Sequence, residues 1–536
     1  MYKFVFNYLN LLIYFNLKQL KMENQNQFNG LETFEHIIVL MLENRSFDNL
    51  LGYLYEKDEI PKEKTFDGLY NPEVDYANPI PDRASNDSDN TSITPSRAVN
   101  FSMPYPDPGE EYPHVNTQLF NTIIPDSNIG KFDYKMIPPY NLPVPAPTPG
   151  MIGFVNDYEN NLRSTYGIDK PKYEQYEVIM QCFQPDQIPA MATLAKEFAV
   201  FDNWHCSVPS QTYCNRAFWH AASSGGKVIN PLGEDGTGFP GIDGDFSDMD
   251  SWIKNVWSLP TIFDRMNEKN VSWKVYSPIA PLSLTNIVNG FGEGKDNTHG
   301  HLDFFFDLEL GNLPQYSFIE PQFLHKHNDQ HPSAVNHELA AGTVKLGDEL
   351  IREVYNAIKN SPKKDKILFI ITHDEHGGCY DHVVPPETIA PVAGMKGECD
   401  FGFDRLGVRV PMVMVSSYIQ PNTIINTQFE HTSFIKTVCE KWSMNPLTDR
   451  DKNPKVLPFT EVFSNQKRTE WPDIPSQTSP VSLLFEPDTS NDPLNGLQKA
   501  MLTSLLHIEK MKALGYTKKE DIKTIGDMME FIKRFQ

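Results

Sequence analysis

The stretch 367-ILFIITHDEHGGCYDHVVPP-386 constrains the fold of this chain more than any other. An unbroken apolar and β-branched run leads straight into His373, Asp374, Glu375 and His376, then a glycine pair, then Asp381 and His382. A run with no polar alternation reads as a strand buried on both faces, the pattern of parallel sheets covered by helices. The runs 37-IIVLML-42, 316-YSFI-319 and 410-VPMVMVSS-417 read the same way. Between two of them lies 343-TVKLGDELIREVYNAIKNSP-362, whose Leu346, Leu350, Val354 and Ile358 recur at helical spacing until Pro362 stops the helix. Strands alternating with helices in this way predict an α/β fold with a mostly parallel sheet.

The chain has 536 residues, enough for one large domain or two. Residues 71–150 and 452–495 are rich in Pro, Asn, Ser and Asp, and read as long irregular loops laid over one domain rather than as linkers. The expected organisation is an N-terminal segment over 1–30, a main domain over 31–450, and a segment over 451–536. The last carries amphipathic helices at 494–515 and 525–536 packed on the same domain. The opening MYKFVFNYLNLLIYFNL resembles the apolar part of a signal peptide, broken by Asn7, Asn10 and Asn16. The alternative is an extension ahead of a start at Met22. The first choice predicts a secreted protein, the second a cytoplasmic or peripheral membrane one. No segment is long and apolar enough for a confident membrane span. A formal charge of −23 argues against a nucleic-acid partner. Six cysteines include no CxxC pair, and Cys206 and Cys214 are the two placed to bridge across a turn.

The chemistry-bearing residues fall at strand ends. The run ending at Leu42 is followed by Glu43, Asn44, Arg45 and Ser46, and the run ending at Thr372 by His373, Asp374 and Glu375. In open α/β sheets ligands bind beyond the carboxyl ends of the strands, so two strands deliver three carboxylates and an amide to one rim. Carboxylates grouped without a counter-charge protonate or repel one another. A divalent cation, with its preference for oxygen ligands, removes the conflict. A third stretch, 202-DNWHCSVPSQTYCNRAFWHAASSGG-226, places Ser210 and Thr212 ahead of a helix predicted to begin near Asn215. A hydroxyl there serves either as a helix cap or beside a bound phosphate. His114, His299, His301, His331 and His382 are each flanked by polar or turn residues.

Taken in order, E-N-R-S-F-D-x-x-x-G (Glu43 to Gly52), T-x-x-N-R (Thr212 to Arg216), N-D-x-H-P-S (Asn328 to Ser333) and T-x-D-E-H-G-G-x-Y-D-H-V-x-P-P (Thr372 to Pro386) resemble the phosphoesterase family. That family contains bacterial phosphatidylcholine-type phospholipases C, plant non-specific phospholipases C and bacterial acid phosphatases; the plant enzymes look nearest. The resemblance runs from about residue 33 to the C-terminal helices. It implies an alkaline-phosphatase-like α/β/α sandwich with one divalent metal held by Glu43, Asn44, Asp374 and Glu375. Thr212 would be the nucleophile, passing through a phospho-threonine. Asn44, Asn215, Arg216, His114 and His301 would contact phosphate, and His331 would protonate the leaving group. Asp381 and His382 would brace the metal loop. His205 and Cys214 depart from the family pattern. The implied activity is hydrolysis of a glycerophospholipid to diacylglycerol and a phosphorylated head group. The alternatives are phosphomonoester hydrolysis of the acid-phosphatase kind and a silent binding protein; the latter requires a lost ligand or nucleophile, and all are retained. The implied partner is a phospholipid, with 301-HLDFFFDL-308 either a bilayer-docking surface or a buried aromatic cluster.

Overall fold

The apolar runs become the inner strands of one eight-stranded sheet in a computed structural model. It describes residues 28–132, 135–231, 247–280, 282–290, 297–324, 326–335, 343–476, 489–507 and 522–535. In chain order the strands are β1 (His36–Leu42), β2 (Ala199–Phe201), β3 (Trp273–Tyr276), β4 (Thr298–His299), β5 (Tyr316–Ile319), β6 (Ile367–His373), β7 (Met412–Val415) and β8 (Thr423–Ile425). Their order across the sheet is β8-β2-β7-β6-β1-β5-β3-β4. Only β7 runs against the others. No α-helix lies between β6 and β7, so the chain returns alongside β6 without the crossover that a parallel neighbour needs. The fold is the predicted α/β class with a mostly parallel sheet.

The main helices are α1 (Phe47–Leu51), α2 (Tyr112–Phe120), α3 (Phe154–Ser164), α4 (Pro189–Glu197), α5 (Thr212–Ala221), α6 (Ile262–Glu268), α7 (His301–Glu309), α8 (Thr343–Asn360), α9 (His431–Trp442), α10 (Gly496–His507) and α11 (Ile525–Phe535). They cover both faces. On one, Phe263 of α6 meets Trp273, Phe434 of α9 meets Tyr316, and His220 of α5 meets Phe318. On the other, Phe304 of α7 packs on Tyr276, and α8 packs against α4 and α7. This is the layered sandwich that buries both sides of a parallel sheet.

Three expectations need correction. The stretch 71–150 is not loop alone, because Tyr112–Phe120 is helical: Pro113 suits a first helical turn, and residues 112–119 are all buried, Val115 and Leu119 in the main core. The helix expected near Asn215 begins at Thr212. Cys206 and Cys214 are free and buried; the Cys206 thiol turns to the Val208 carbonyl at 3.5 Å, while Cys214 lies in the apolar cluster of α5. That same cluster holds Leu497, Met501 and Phe531 of α10 and α11. Residues 1–27, on which the N-terminal expectations rest, lie outside the described residues, as do 508–515 at the end of the first C-terminal helix. Among the described residues no helix is long and apolar enough to cross a membrane.

Candidate active site

Register brings the two acidic motifs together. β1 and β6 pair in parallel from His36↔Ile367 to Leu42↔His373, so Glu43 and Asp374 leave the sheet side by side. The Asn44 N–H donates to Asp374 Oδ1 at 3.1 Å, which ties the two strand ends to each other. Asn44 sits at φ 50°, a left-handed conformation that Asn tolerates better than most residues. Gly377, at φ 64°, lies so close that a Cβ there would fall 2.1 Å from the Asn44 carbonyl oxygen. A Cβ on Gly378 would fall 2.3 Å from the Gly109 carbonyl, so the glycine pair admits a second loop, 107-DPGEE-111, beside the rim.

Thr212 enters from the first turn of α5. Its hydroxyl donates to Asn44 Oδ1 at 3.1 Å and lies 3.3 Å from Glu43 Oε2, fully buried. The Ser210 hydroxyl instead donates to the Val228 carbonyl, so of the two candidate hydroxyls Thr212 is the one facing the carboxylates. Asn215 is not placed as a phosphate contact. Its amide accepts from the Val208 N–H at 3.1 Å and donates to the Val208, Ser210 and Gln211 carbonyls at 3.1, 2.7 and 3.3 Å. It ties down the loop ahead of α5, which explains why the helix starts earlier than its own position suggested. One turn on, Arg216 pairs with Glu43 and stands 3.7 Å from Asp374 Oδ2.

The rim is short of positive charge. Burial pushes the Glu43 and Glu375 carboxyls well above the usual carboxylate range; Arg216 opposes this at Glu43, while neighbouring Asp374 reinforces it at both. Glu110 is pushed up in the same way, by burial and then by Glu375. Asp374 Oδ2 and Glu375 Oε1 are buried without a hydrogen-bond partner. Unpartnered buried carboxylate oxygens beside a second carboxylate are costly unless a cation meets them. Glu43, Asn44, Asp374 and Glu375 supply oxygen donors of the kind a hard divalent cation takes. These donors suit such a cation in kind; among the described residues, the groups whose ligand atoms lie within 4.8 Å of one another are Asp107, Glu110 and His331, and Asp48, Asp381 and His382.

Glu110, in the DPGEE loop, escaped the sequence reading. Its Oε2 accepts from Asn44 Nδ2 at 2.6 Å. The same amide nitrogen lies 3.1 Å from His331 Nε2, and Asp107 Oδ1 lies 3.6 Å from His331 Nδ1. The available signal was an acid pair, Glu110-Glu111, set just before His114 in a stretch otherwise read as loop. His114 itself sits one layer back. Its Nδ1 bonds Asp157 at 2.8 Å, and the link to the rim runs from Asp157 through Gln118 and His376 to Glu375. Burial pushes the His376 imidazole down to about 3. His301 lies at the β5 end, its Nε2 at 2.5 Å from the Glu320 carbonyl oxygen.

Asp381 and His382 belong to a separate network on the same rim. Arg409 donates to Asp381 Oδ1 at 3.0 Å and to Asp48 Oδ1 at 2.9 Å. His382 bonds Asp48 Oδ2 at 2.5 Å and Asp67 Oδ1 at 3.1 Å. Burial works to lower the His382 pKa, but Asp48 and Asp67 overcome it and hold the imidazole up to about 10. The Asp48 N–H also donates to Asp381, at 3.1 Å, so the network clamps α1 to the loop beyond β6.

Residues 34–445 match the model of the phosphoesterase family. The chain is 32% identical to "Non-specific phospholipase C3" of Arabidopsis thaliana over 81% of this chain and 75% of that one. It is 25% identical to "Phospholipase C B" of Mycobacterium tuberculosis over 76% and 73% respectively. Among solved structures, a protein in the alkaline phosphatase superfamily from Vibrio parahaemolyticus aligns with TM-score 0.29 and 12% identity, covering 51% of this chain and 63% of that one. With more than three-quarters of its length inside the family model, the chain belongs to the phosphoesterase family.

Proposed function

We propose that this protein is a phospholipase C, cleaving the phosphodiester of a glycerophospholipid to release diacylglycerol and a phosphorylated head group. The observation that carries the reading is the buried Thr212 hydroxyl set against Asn44 and Glu43, beside the unpartnered oxygens of Asp374 and Glu375. The relatives named phospholipase C point to the same class of bond. Glu43, Asn44, Asp374 and Glu375 would hold one divalent cation. When bound, such an ion neutralises charge on a phosphoryl oxygen and makes a nearby hydroxyl more acidic.

Thr212 Oγ1 attacks phosphorus, and the bond from phosphorus to the diacylglycerol oxygen breaks. The head-group phosphate remains on Thr212 as an ester until water cleaves it. Of the two groups that meet the Thr212 hydroxyl, Glu43 is the one able to keep its proton. Proton delivery to the leaving diacylglycerol oxygen is assigned to His331, because its ring meets Asn44 on the side away from Thr212. Arg216 holds Glu43 and Asp374 in place. His114 and His301 are assigned to the outer shell of the phosphate site.

The test is product analysis on phosphatidylcholine vesicles with p-nitrophenyl phosphate assayed in parallel. Diacylglycerol and phosphocholine, both abolished by chelator, are the expected result. Hydrolysis of the monoester without diacylglycerol would move the protein to the acid-phosphatase branch with the same residues in the same places.

A further inference from the structure

We infer that Glu110 is a positioning residue for the reaction: its carboxylate fixes which way round the Asn44 amide sits and so keeps Asn44 Oδ1 turned to Thr212. This rests on the proposed function, for which Asn44 is both a metal ligand and a neighbour of the nucleophile.

The Asn44 side chain has little freedom apart from its amide. Its backbone is held at φ 50° by close packing with Gly377, and its N–H is bound to Asp374. What remains is a half-turn of the terminal amide, which exchanges an acceptor for a donor in nearly the same space. In the observed arrangement every amide atom is matched. Oδ1 accepts from the Thr212 hydroxyl at 3.1 Å, and Nδ2 donates to Glu110 at 2.6 Å. The second amide hydrogen points to His331 Nε2 at 3.1 Å. That nitrogen is an acceptor in the tautomer selected by the Pro332 carbonyl, which lies 2.8 Å from Nδ1. In the reversed arrangement Asn44 Oδ1 would face the Glu110 carboxylate at hydrogen-bond distance, and an N–H would replace the oxygen offered to the cation and to Thr212. The Glu110 oxygen that meets the amide nitrogen at 2.6 Å makes the two arrangements unequal.

The surroundings show that the carboxylate is not there for stability. Glu110 is buried, and Glu375 is, after burial, the neighbour that most raises its carboxyl. A like-charged pair in that setting costs stability. Asp107 adds to the crowding from the same loop.

The experiment uses Glu110→Gln and Glu110→Asp in the full chain. Three quantities are read: melting temperature, Mn2+ affinity by calorimetry, and kcat and KM on phosphatidylcholine vesicles. Glutamine keeps the volume but offers a donor as readily as an acceptor, so Asn44 loses its bias. The expected result for E110Q is a melting temperature no lower than wild type, with Mn2+ affinity and kcat each down about 10- to 100-fold. KM should stay within about threefold, because uniform substrate binding is untouched. E110D keeps a charged acceptor and should recover part of both losses. Three results would overturn the assignment. They are wild-type affinity and turnover in a folded E110Q, losses in E110Q or E110D that come only with a fall in melting temperature or failure to fold, and an E110D no better than E110Q. The two proposals fail separately. Wild-type protein that releases no diacylglycerol sinks the substrate reading, while the Mn2+ affinities still decide Glu110.

Discussion

Two clusters of buried charge sit on the same rim and grow from the same two motifs, yet they are built on opposite principles. In the Asp48–Asp381–His382–Arg409 cluster each carboxylate meets a cation or a donor. Arg409 spans both aspartates, and Asp48 also meets His382. Charge closes within the protein, and the result is a brace between α1 and the loop beyond β6. In the Glu43–Asp374–Glu375–Glu110 cluster, carboxylates outnumber the single Arg216 that pairs with them, and two of their oxygens have no hydrogen-bond partner. Charge closes there only when something enters. The first pattern is one that stabilises a fold, and the second is the one we propose to hold a ligand at the cost of stability.

Substitutions that act on one cluster and spare the other test this contrast. The largest effect is expected at the nucleophile: Thr212→Ala should lower turnover about 10,000-fold or more while Mn2+ content, measured by elemental analysis, stays at the wild-type level. In the balanced cluster, Arg409→Met leaves buried Asp381 without its cation and Asp48 with His382 as its remaining cationic partner. It should cost about 3–5 kcal/mol in denaturant unfolding with Mn2+ affinity unchanged. In the open cluster, Asp374→Asn should weaken Mn2+ binding about 100-fold or more. Mn2+ at 100 times its dissociation constant should stabilise wild type by about 2.7 kcal/mol, and D374N at the same concentration far less.

The smallest effect is a pH dependence. His382 is held up at about 10 in the folded chain against an ordinary 6.5, so its contribution is complete below pH 6.5 and is lost as pH rises through 10. Stability should fall by about 1–2 kcal/mol between pH 7 and pH 9, allowing for solvent screening. His382→Gln should flatten that slope. A slope unchanged in H382Q would remove the imidazole from the balanced cluster.

Much of the rim was legible because strand ends are local. The apolar runs before Glu43 and Asp374 announce two buried strands, and a parallel sheet sends their next residues to one place. The start of α5 was misjudged because Asn215, read as the start of the helix, is instead spent on the loop before it. Glu110 was invisible for a different reason. It lies in a loop 66 residues from the Asn44 it bonds, brought in by the packing of Gly109 on Gly378 and by bonds from distant Gln118, Tyr158 and Asn161 to its carbonyls. His114 and His301 carried the same local signal as His331, a polar-flanked imidazole, and nothing in their neighbours distinguishes the ring that meets Asn44 from those a layer away. The α2 helix was hidden by the Pro- and Asn-rich composition around it, although Pro113 is where a helix tolerates proline.

The most direct test of the central claim is a calorimetric titration of chelator-treated protein with Mn2+, run on wild type, Asp374→Asn and Arg409→Met, with diacylglycerol release followed on the same samples. The account predicts one ion per chain in wild type and R409M, its binding restoring diacylglycerol release, and greatly weakened binding in D374N. Full activity with no ion bound, or binding lost in R409M and kept in D374N, would contradict it.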